Sequence, residues 1–381
     1  MKILHIADRM DWTDGASRHV FLLACTQRTR GHEVRILVSG GNALDLLEKE
    51  RLPYSVHPCL GHAGRTPGRF LHGIIVLRRL VKGFQPDIIH AHHFYAANQA
   101  RLAVPSHRRL VLTVHAAIPS VGVLPHTVGS LIIAVSDAVR AHLLRTERWV
   151  RRKVVTIRYG VSGMGYADET RSYPRFALLE SARERSFTIA YAGRITRVKG
   201  WEILLDALTR CHSGKGKQDE TGISEGNSDS PHQRYTLVVA GEGPDDILLQ
   251  DTARERGVPL IHFGRLKDIQ PVLAVSHILV VPSLGLEGLP MVILEAGLSG
   301  TAVIASATEG VPEIIEDGVT GLLVPPGNAQ ALHTAIERLR TEPELRTRLA
   351  ENLSERVARE FTVERMADET DAVYRQVLTA D

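Results

Sequence analysis

The chain of 381 residues has only three cysteines, Cys25, Cys59 and Cys211, widely spaced. That excludes a disulfide-stapled module and leaves no zinc ligand set. The thiols are expected to be buried and inert. No apolar run approaches a membrane span: the best, Val272–Val281, is short and interrupted by Ser276 and His277. The opening MKILHIADRMDW has neither the apolar core nor the small-residue cleavage site of a secretion signal, so a cytoplasmic protein is expected. Aromatics make up 5 % of the residues, too few to interleave a basic nucleic-acid surface, and no nucleic-acid partner is expected. After the first strand-like run there is no Gly-x-Gly-x-x-Gly, and nowhere a Gly-x4-Gly-Lys-Ser/Thr, which disfavours a dinucleotide fingerprint and a P-loop.

What is present is ordinary globular material, 44 % hydrophobic and 23 % charged, long enough for two or three domains. The net charge of +3 hides a polarity. Residues 1–180 carry 25 Lys and Arg against 13 Asp and Glu, whereas residues 181–381 carry 21 against 30. A basic half that could face anionic lipid, a phosphorylated acceptor or nucleic acid, or be plain solvated surface, is thus joined to an acidic half.

Short runs rich in Val, Ile and Leu recur at Lys2–Ile6, Val34–Val38, Ile88–His90, Leu110–Val114, Leu131–Val135 and Lys153–Ile157. Helical lengths such as Ser17–Arg30, Asn42–Glu50 and Gly73–Gly83 separate them. Nearly continuous apolar strands alternating with helices predict a parallel sheet covered on both faces. The pattern restarts with strands at Phe187–Tyr191, Tyr235–Ala240, Leu260–Phe263, His277–Val281 and Ala302–Ala305. Helices are expected there at Trp201–Cys211, Asp246–Arg256, Met291–Gly297 and Ala329–Leu339. The stretch Ser162–Ser186 reads as a hinge, and residues 213–234, rich in Gly, Ser and charge, as a disordered surface insertion. The domains expected are 1–165, joined by a last helix at about 362–381, and 166–361.

Ligands of open α/β sheets bind beyond the carboxyl ends of the strands, so those loops carry the candidates. After the first strand, Gly15 allows close backbone approach ahead of a helix starting near Ser17, or is a plain helix-entry turn. After Phe187–Tyr191 come Arg194 and Lys199, two cations beside a helix start, suited to a diphosphate or else simply exposed. After His277–Val281 comes PSLGLEGLPMVILEAGLSG. Here Glu287 precedes the turn Gly288-Leu289-Pro290, and Pro290 fixes a helix start. Backbone N–H groups around Gly288–Met291 are placed for a ligand, and Glu295, among Ile293, Leu294 and Ala296, is a carboxylate in an apolar helix that needs partners. His90, His92 and His93 invite a metal reading, but strand-end packing is the expectation, with no metal. His115 caps a strand end or faces a ligand.

These motifs, with AGEGPD (240–245), HFGRLKD (262–268), GVPEIIEDGVTGLLVPPGN, DGASRHV, PDIIHAHH, LTVHAA and AVSDAVRAHL, resemble family 4 glycosyltransferases along nearly the whole chain. The resemblance implies a GT-B fold of two Rossmann-like domains facing across a cleft. It also implies retaining glycosyl transfer, with no obligatory metal and no cofactor, and the sequence has no Asp-x-Asp metal motif. By matching positions it assigns Arg194 and Lys199 to the donor diphosphate, and Arg265 and Leu266 to the base. Glu287 falls to the donor sugar, with Gly288, Leu289, Pro290, Met291 and Val292 nearby, and Glu295 to the ribose. Gly15 falls to the phosphates and His115 to the reaction centre. The partners it implies are a UDP- or GDP-hexose donor and a glycan or lipid-linked acceptor, with peripheral contact at an anionic cytoplasmic membrane face. A soluble small-molecule acceptor and a non-catalytic nucleotide-sugar binder are the alternatives. Two departures stand out: Tyr159-Gly160-Val161 replaces the family's Asn-Gly-Val, and Asp14-Gly15 its Gly-Gly.

Overall fold

The computed structural model describes all residues except 105–108, 117–130, 147–153, 164–166, 213–234, 286 and 380–381. The expected insertion at 213–234 therefore lies outside the described residues. The chain divides into two compact units: Met1–Ser162 with Leu286–Met291 and Glu360–Asp381, and Gly163–Gly285 with Val292–Arg359.

The first unit runs β1 (Lys2–Ile6), β2 (Arg9–Met10), α1 (Gly15–Thr29), β3 (Glu33–Val38), β4 (Gly40–Gly41), α2 (Leu44–Lys49) and β5 (Tyr54–Val56). It continues through α3 (Pro67–Phe84), β6 (Ile88–Ala91), α4 (Phe94–Ala103), β7 (Leu110–Val114), β8 (Leu131–Ala134), α5 (Asp137–Thr146) and β9 (Val154–Thr156). Seven of its strands form a parallel sheet in the order β5-β3-β1-β6-β7-β8-β9. Every residue of β6, β7 and β8 is buried, as strands covered on both faces require. Polar caps start the helices. The Asp14 carboxylate accepts from Ser17 N–H at α1, Thr66 from Arg69 N–H at α3, and the His93 ring from Ala96 N–H at α4.

The second unit holds α6 (Ala167–Arg171), α7 (Pro174–Arg185), β10 (Phe187–Ala192), α8 (Trp201–His212), β11 (Tyr235–Ala240), α9 (Asp246–Glu255), β12 (Leu260–Gly264) and α10 (Gln270–Val275). Then come β13 (Ile278–Val281), α11 (Met291–Leu298), β14 (Ala302–Ser306), β15 (Leu322–Val324), α12 (Ala329–Thr341) and α13 (Pro343–Glu360). Its sheet is parallel, in the order β12-β11-β10-β13-β14-β15. The core packs Trp201, Leu205 and Leu208 of α8 with Ile336 and Leu339 of α12 and the strand side chains Ile189, Leu237 and Ile304. The last helix, α14 (Val363–Thr379), returns to the first unit. Its buried residues Met366, Ala367, Thr370, Asp371, Val373, Tyr374 and Val377 come as pairs and singles three or four positions apart, on one helix face.

Three expectations need correction. The segment Ser162–Ser186 is not a plain hinge: α7 buries Phe176, Leu179 and Ala182 on one face, a pattern diluted in sequence by the charges between them. Helix α1 begins at Gly15, not near Ser17, because Asp14 supplies the cap. The strands of the second unit do not end at Ala302–Ala305, since Leu322–Val324 adds an edge strand to its sheet.

Candidate functional site

In each sheet the strand order reverses once, between β1 and β6 in the first unit and between β10 and β13 in the second. Loops diverge at such a point and leave a crevice beyond the carboxyl ends of the strands.

At the switch point of the second unit lie the loop 193–200, with Arg194 and Lys199, and the stretch that leaves β13 at Pro282. Leu284 N–H donates to the Val198 carbonyl at 2.8 Å. A Cβ on Gly200 would stand 1.9 Å from the Pro282 carbonyl, and Gly200 has φ +72°, so only glycine fits this crossing. The loops then join sideways. Gly193 N–H donates to Ala240 O at 3.0 Å, Ile195 N–H to Glu242 O at 3.1 Å, and Gly241 N–H to Gly264 O at 2.7 Å. Arg194, Lys199, Glu242 and Arg265 therefore stand on neighbouring hydrogen-bonded loops at one edge of the sheet. Arg194 is exposed and Lys199 half-buried. Arg265 donates to Glu242 at 2.6 Å, which commits its guanidinium, while the Leu266 side chain is buried. Glu295 is buried in α11, one turn after Met291, and Val292 is half-buried beside it. Lys199, Glu287 and Glu295 all make polar contacts.

In the first unit a second group gathers. The Met291 side chain lies 3.5 Å from where a Cβ on Gly15 would stand, an ordinary contact. The His115 carbonyl lies against Gly288. The Tyr159 hydroxyl and His115 Nδ1 are 2.6 Å apart. Burial pushes His115 down to about 3, and it pushes the Tyr159 phenol up, helped by the charges of Asp14 and Glu287. Tyr159 at the Asn-Gly-Val position is thus the hydrogen-bond partner of His115. Glu287, Leu289 and Met291 are buried, and Pro290 immediately precedes α11. A cavity of about 350 Å³ opens nearby in sequence terms, beyond β1, β3 and β5, lined among others by Arg9, Ser39, Gly61, Gly64 and Arg69.

Sequence reasoning missed most of a buried imidazole cluster. His5 is the register partner of His90 across β1 and β6, and His19 of α1 packs against His92, His115 and Tyr159 at ring distances of 5.6, 5.2 and 5.0 Å. Burial, the first cause in each, holds His5 near 4 and His19, His90 and His92 well below the ordinary imidazole value. The available signal was a lone histidine inside the apolar run of β1. Ligand atoms of His5, His90 and His92 lie within 4.8 Å of one another, a spacing a metal ion could bridge. Hydrogen bonds already engage those nitrogens: His5 Nε2 with Gln27 at 2.8 Å, His5 Nδ1 with His92 Nε2 at 3.0 Å, and His90 with Tyr374 and Thr113 at 2.6 and 2.7 Å. A hydrogen-bonded core network accounts for the group as it stands.

Two parallel α/β units, each with its polar loops at a switch point, define the class: a GT-B-like fold. The family described as Glycosyltransferase Family 4 matches residues 13–162, and that described as Glycosyl transferases group 1 matches residues 180–356. An alpha-D-kanosaminyltransferase of Streptomyces kanamyceticus is 31 % identical over 196 residues, covering 50 % of this chain and 45 % of that protein. This chain thus spans less than half the length of that relative. A phosphatidyl-myo-inositol mannosyltransferase of Mycobacterium leprae is 27 % identical over 97 % of this chain and 95 % of its own. Among solved structures, Anabaena HepE in complex with UDP and glucose superposes with a TM-score of 0.77 at 21 % identity, covering 98 % of this chain and 99 % of that one. The chain is similar to glycosyltransferases along its length, and its fold is theirs.

Proposed function

We propose that this chain is a retaining, metal-independent glycosyltransferase. It moves a hexosyl unit from a UDP- or GDP-sugar to a hydroxyl acceptor, in the making of a cell-envelope polysaccharide, lipopolysaccharide or glycolipid. The observation that carries the reading is the switch-point loop 193–200, which sets Arg194 and Lys199 at the carboxyl edge of the second sheet, hydrogen-bonded to the stretch leading to Glu287. The leaving group of such a reaction is a nucleoside diphosphate. Two cations and the backbone N–H groups of this loop meet its developing charge. Glu295 takes the ribose and Glu287 the donor sugar. The departing phosphate oxygen accepts the proton of the acceptor hydroxyl on the same face, so Glu287 positions rather than attacks. The similarity to a mannosyltransferase of phosphatidyl-myo-inositol supports a lipid-linked acceptor. So does the exposed stripe of α3, where Leu71 and Ile75 stand beside Arg78, Arg79 and Lys82, a face suited to an anionic cytoplasmic membrane surface. No described helix is long and apolar enough to cross a membrane.

The test is thermal stability across UDP, GDP, ADP and their sugars, followed by transfer assays with the donor that stabilises. A ligand bound only by the folded state raises the midpoint. A rise with one nucleotide, lost in Lys199→Ala and Glu295→Ala, supports the site and fixes the donor. No rise with any nucleotide sinks the reading in favour of a non-catalytic relative.

A further inference from the structure

The cluster of buried imidazoles in the first unit is tied to the last helix by one chain of hydrogen bonds. Asp371 on α14 has a buried side chain, ion-paired to Arg30 at 3.3 Å and facing His32 at 3.4 Å. Gln27 Nε2 donates to Asp371 Oδ1 at 3.3 Å. Gln27 Oε1 faces His5 Nε2 at 2.8 Å, and His5 Nδ1 faces His92 Nε2 at 3.0 Å. His5, Gln27 and His92 are all buried.

Each link fixes the next. A carboxylate paired with arginine accepts and does not donate. Gln27 must therefore turn its NH₂ toward Asp371 and its oxygen toward His5. That oxygen accepts, so His5 carries its proton on Nε2 and presents a lone pair at Nδ1. His92 must then carry its proton on Nε2. Its Nδ1 is left as a lone pair, buried and without a hydrogen-bond partner. The His92 ring lies stacked on His115, with centroids 5.6 Å apart and planes at 28°, and edge-on to His19.

We propose that Asp371 is a positioning residue: through Gln27 and His5 it holds His92 in the Nε2–H tautomer, and so orients the ring on which His115 stacks. The chain runs from the last helix to the ring beneath His115 without a break in proton direction. Burial keeps His5 and His92 neutral, so the tautomer rather than the charge is what the relay sets. A second contact from the same helix, the Tyr374 hydroxyl on His90 Nδ1 at 2.6 Å, braces the neighbouring ring. The tautomer assignment stands on hydrogen bonds alone; only its kinetic consequence rests on the proposed transferase activity.

The test reads the ring nitrogens directly, by proton–nitrogen correlation on protein labelled with ¹⁵N-histidine, with His92→Gln used to identify the His92 signals. The wild type is expected to show Nε2 protonated and Nδ1 bare. Asp371→Asn keeps an acceptor for Gln27 and should keep that pattern. Asp371→Leu and Gln27→Met break the relay and should give mixed tautomers. In transfer assays Asp371→Leu is expected to lose about tenfold in kcat with little change in donor KM, and Asp371→Asn to restore most of it. A proton on His92 Nδ1 in the wild type overturns the assignment, and this measurement stands even if the relay variants fail to fold. An unmoved tautomer in folded Asp371→Leu and Gln27→Met also overturns it. A moved tautomer with unchanged kcat overturns the positioning role. Wild-type protein that shows the expected tautomer yet turns over no nucleotide sugar instead removes the transferase reading.

Discussion

The backbone carbonyl of His115 stands 1.9 Å from the point where a side chain on Gly288 would begin. No real Cβ tolerates that distance, so Gly288→Ala must push the turn off the strand end that carries His115. The expected cost is roughly 1–3 kcal/mol, as for other overpacked sites. Gly15 is the contrast. Its nearest neighbour is the Met291 side chain at 3.5 Å, and it occupies the first position of α1. Gly15→Ala should hold or slightly raise the melting midpoint, while weakening the donor if that glycine faces phosphate. Melting curves of the two variants side by side check the contrast, and equal midpoints would refute it.

Removing Lys199 or Glu287 should cost rate far more than affinity for an acceptor. Lys199→Ala and Glu287→Ala are each expected to lower kcat by about 10²–10³, the scale of losing one preorganised charge partner. Steady-state transfer rates, normalised to folded protein by circular dichroism, read the loss. Near-native turnover in both would remove the proposed roles.

Acid should weaken the first unit through its buried histidines. His5 is held near 4 and His115 near 3, with His19, His90 and His92 also lowered by burial and by one another; Asp371 opposes the shift only for His5. These folded values lie below the unfolded one of 6.5. The stability they allow is complete above about pH 6.5 and is lost as the pH falls toward 4 and 3, because the unfolded chain binds protons that the folded one refuses. Urea unfolding should show a clearly lower midpoint at about pH 5.5 than at about pH 7.5, and His19→Phe should flatten the difference. A midpoint indifferent to pH in that range would contradict the burial of neutral rings.

The α3 face makes a separate claim. Leu71 and Ile75 are 60 % and 48 % exposed beside Arg78, Arg79 and Lys82. Sedimentation with vesicles containing anionic lipid should carry the protein down, and salt should release it, since each cation near the surface contributes on the order of 1 kcal/mol. Leu71→Gln with Ile75→Gln, and separately Arg78→Glu with Arg79→Glu, should each leave it in the supernatant. Equal pelleting with neutral vesicles would point to a different surface.

The parallel strands were legible because they are buried on both faces and so read as unbroken aliphatic runs; Lys2–Ile6 and Tyr235–Ala240 match their strands end to end. Edge strand β5 escaped because only three residues pair and none is buried. The post-strand loops were legible from Gly, Pro and charge, and Arg194, Lys199 and Glu287 were chosen as candidates that way. The partners of His115 and His90 were not, since Tyr159 and Tyr374 lie 44 and 284 residues away. Such contacts are set by strand order and by the return of α14, which local pattern does not encode. Asp14, which stands where the resembled family has Gly, caps α1.

The return of α14 also sets an order of events during synthesis. Gln27 of α1 and Arg30, just beyond its end, find Asp371 and Glu364 only after more than three hundred further residues have been made. At ribosomal speeds of about 5–20 residues per second, that wait lasts roughly 15–70 s. Until then the first unit shows an uncovered helix face, and His90 has Thr113 but not yet Tyr374 as a partner, while the second unit is itself made during the interval. A nascent chain of this design therefore needs protection through most of the synthesis of these residues, and a stop codon just ahead of α14 would leave both sheets made yet the first-made domain unfinished.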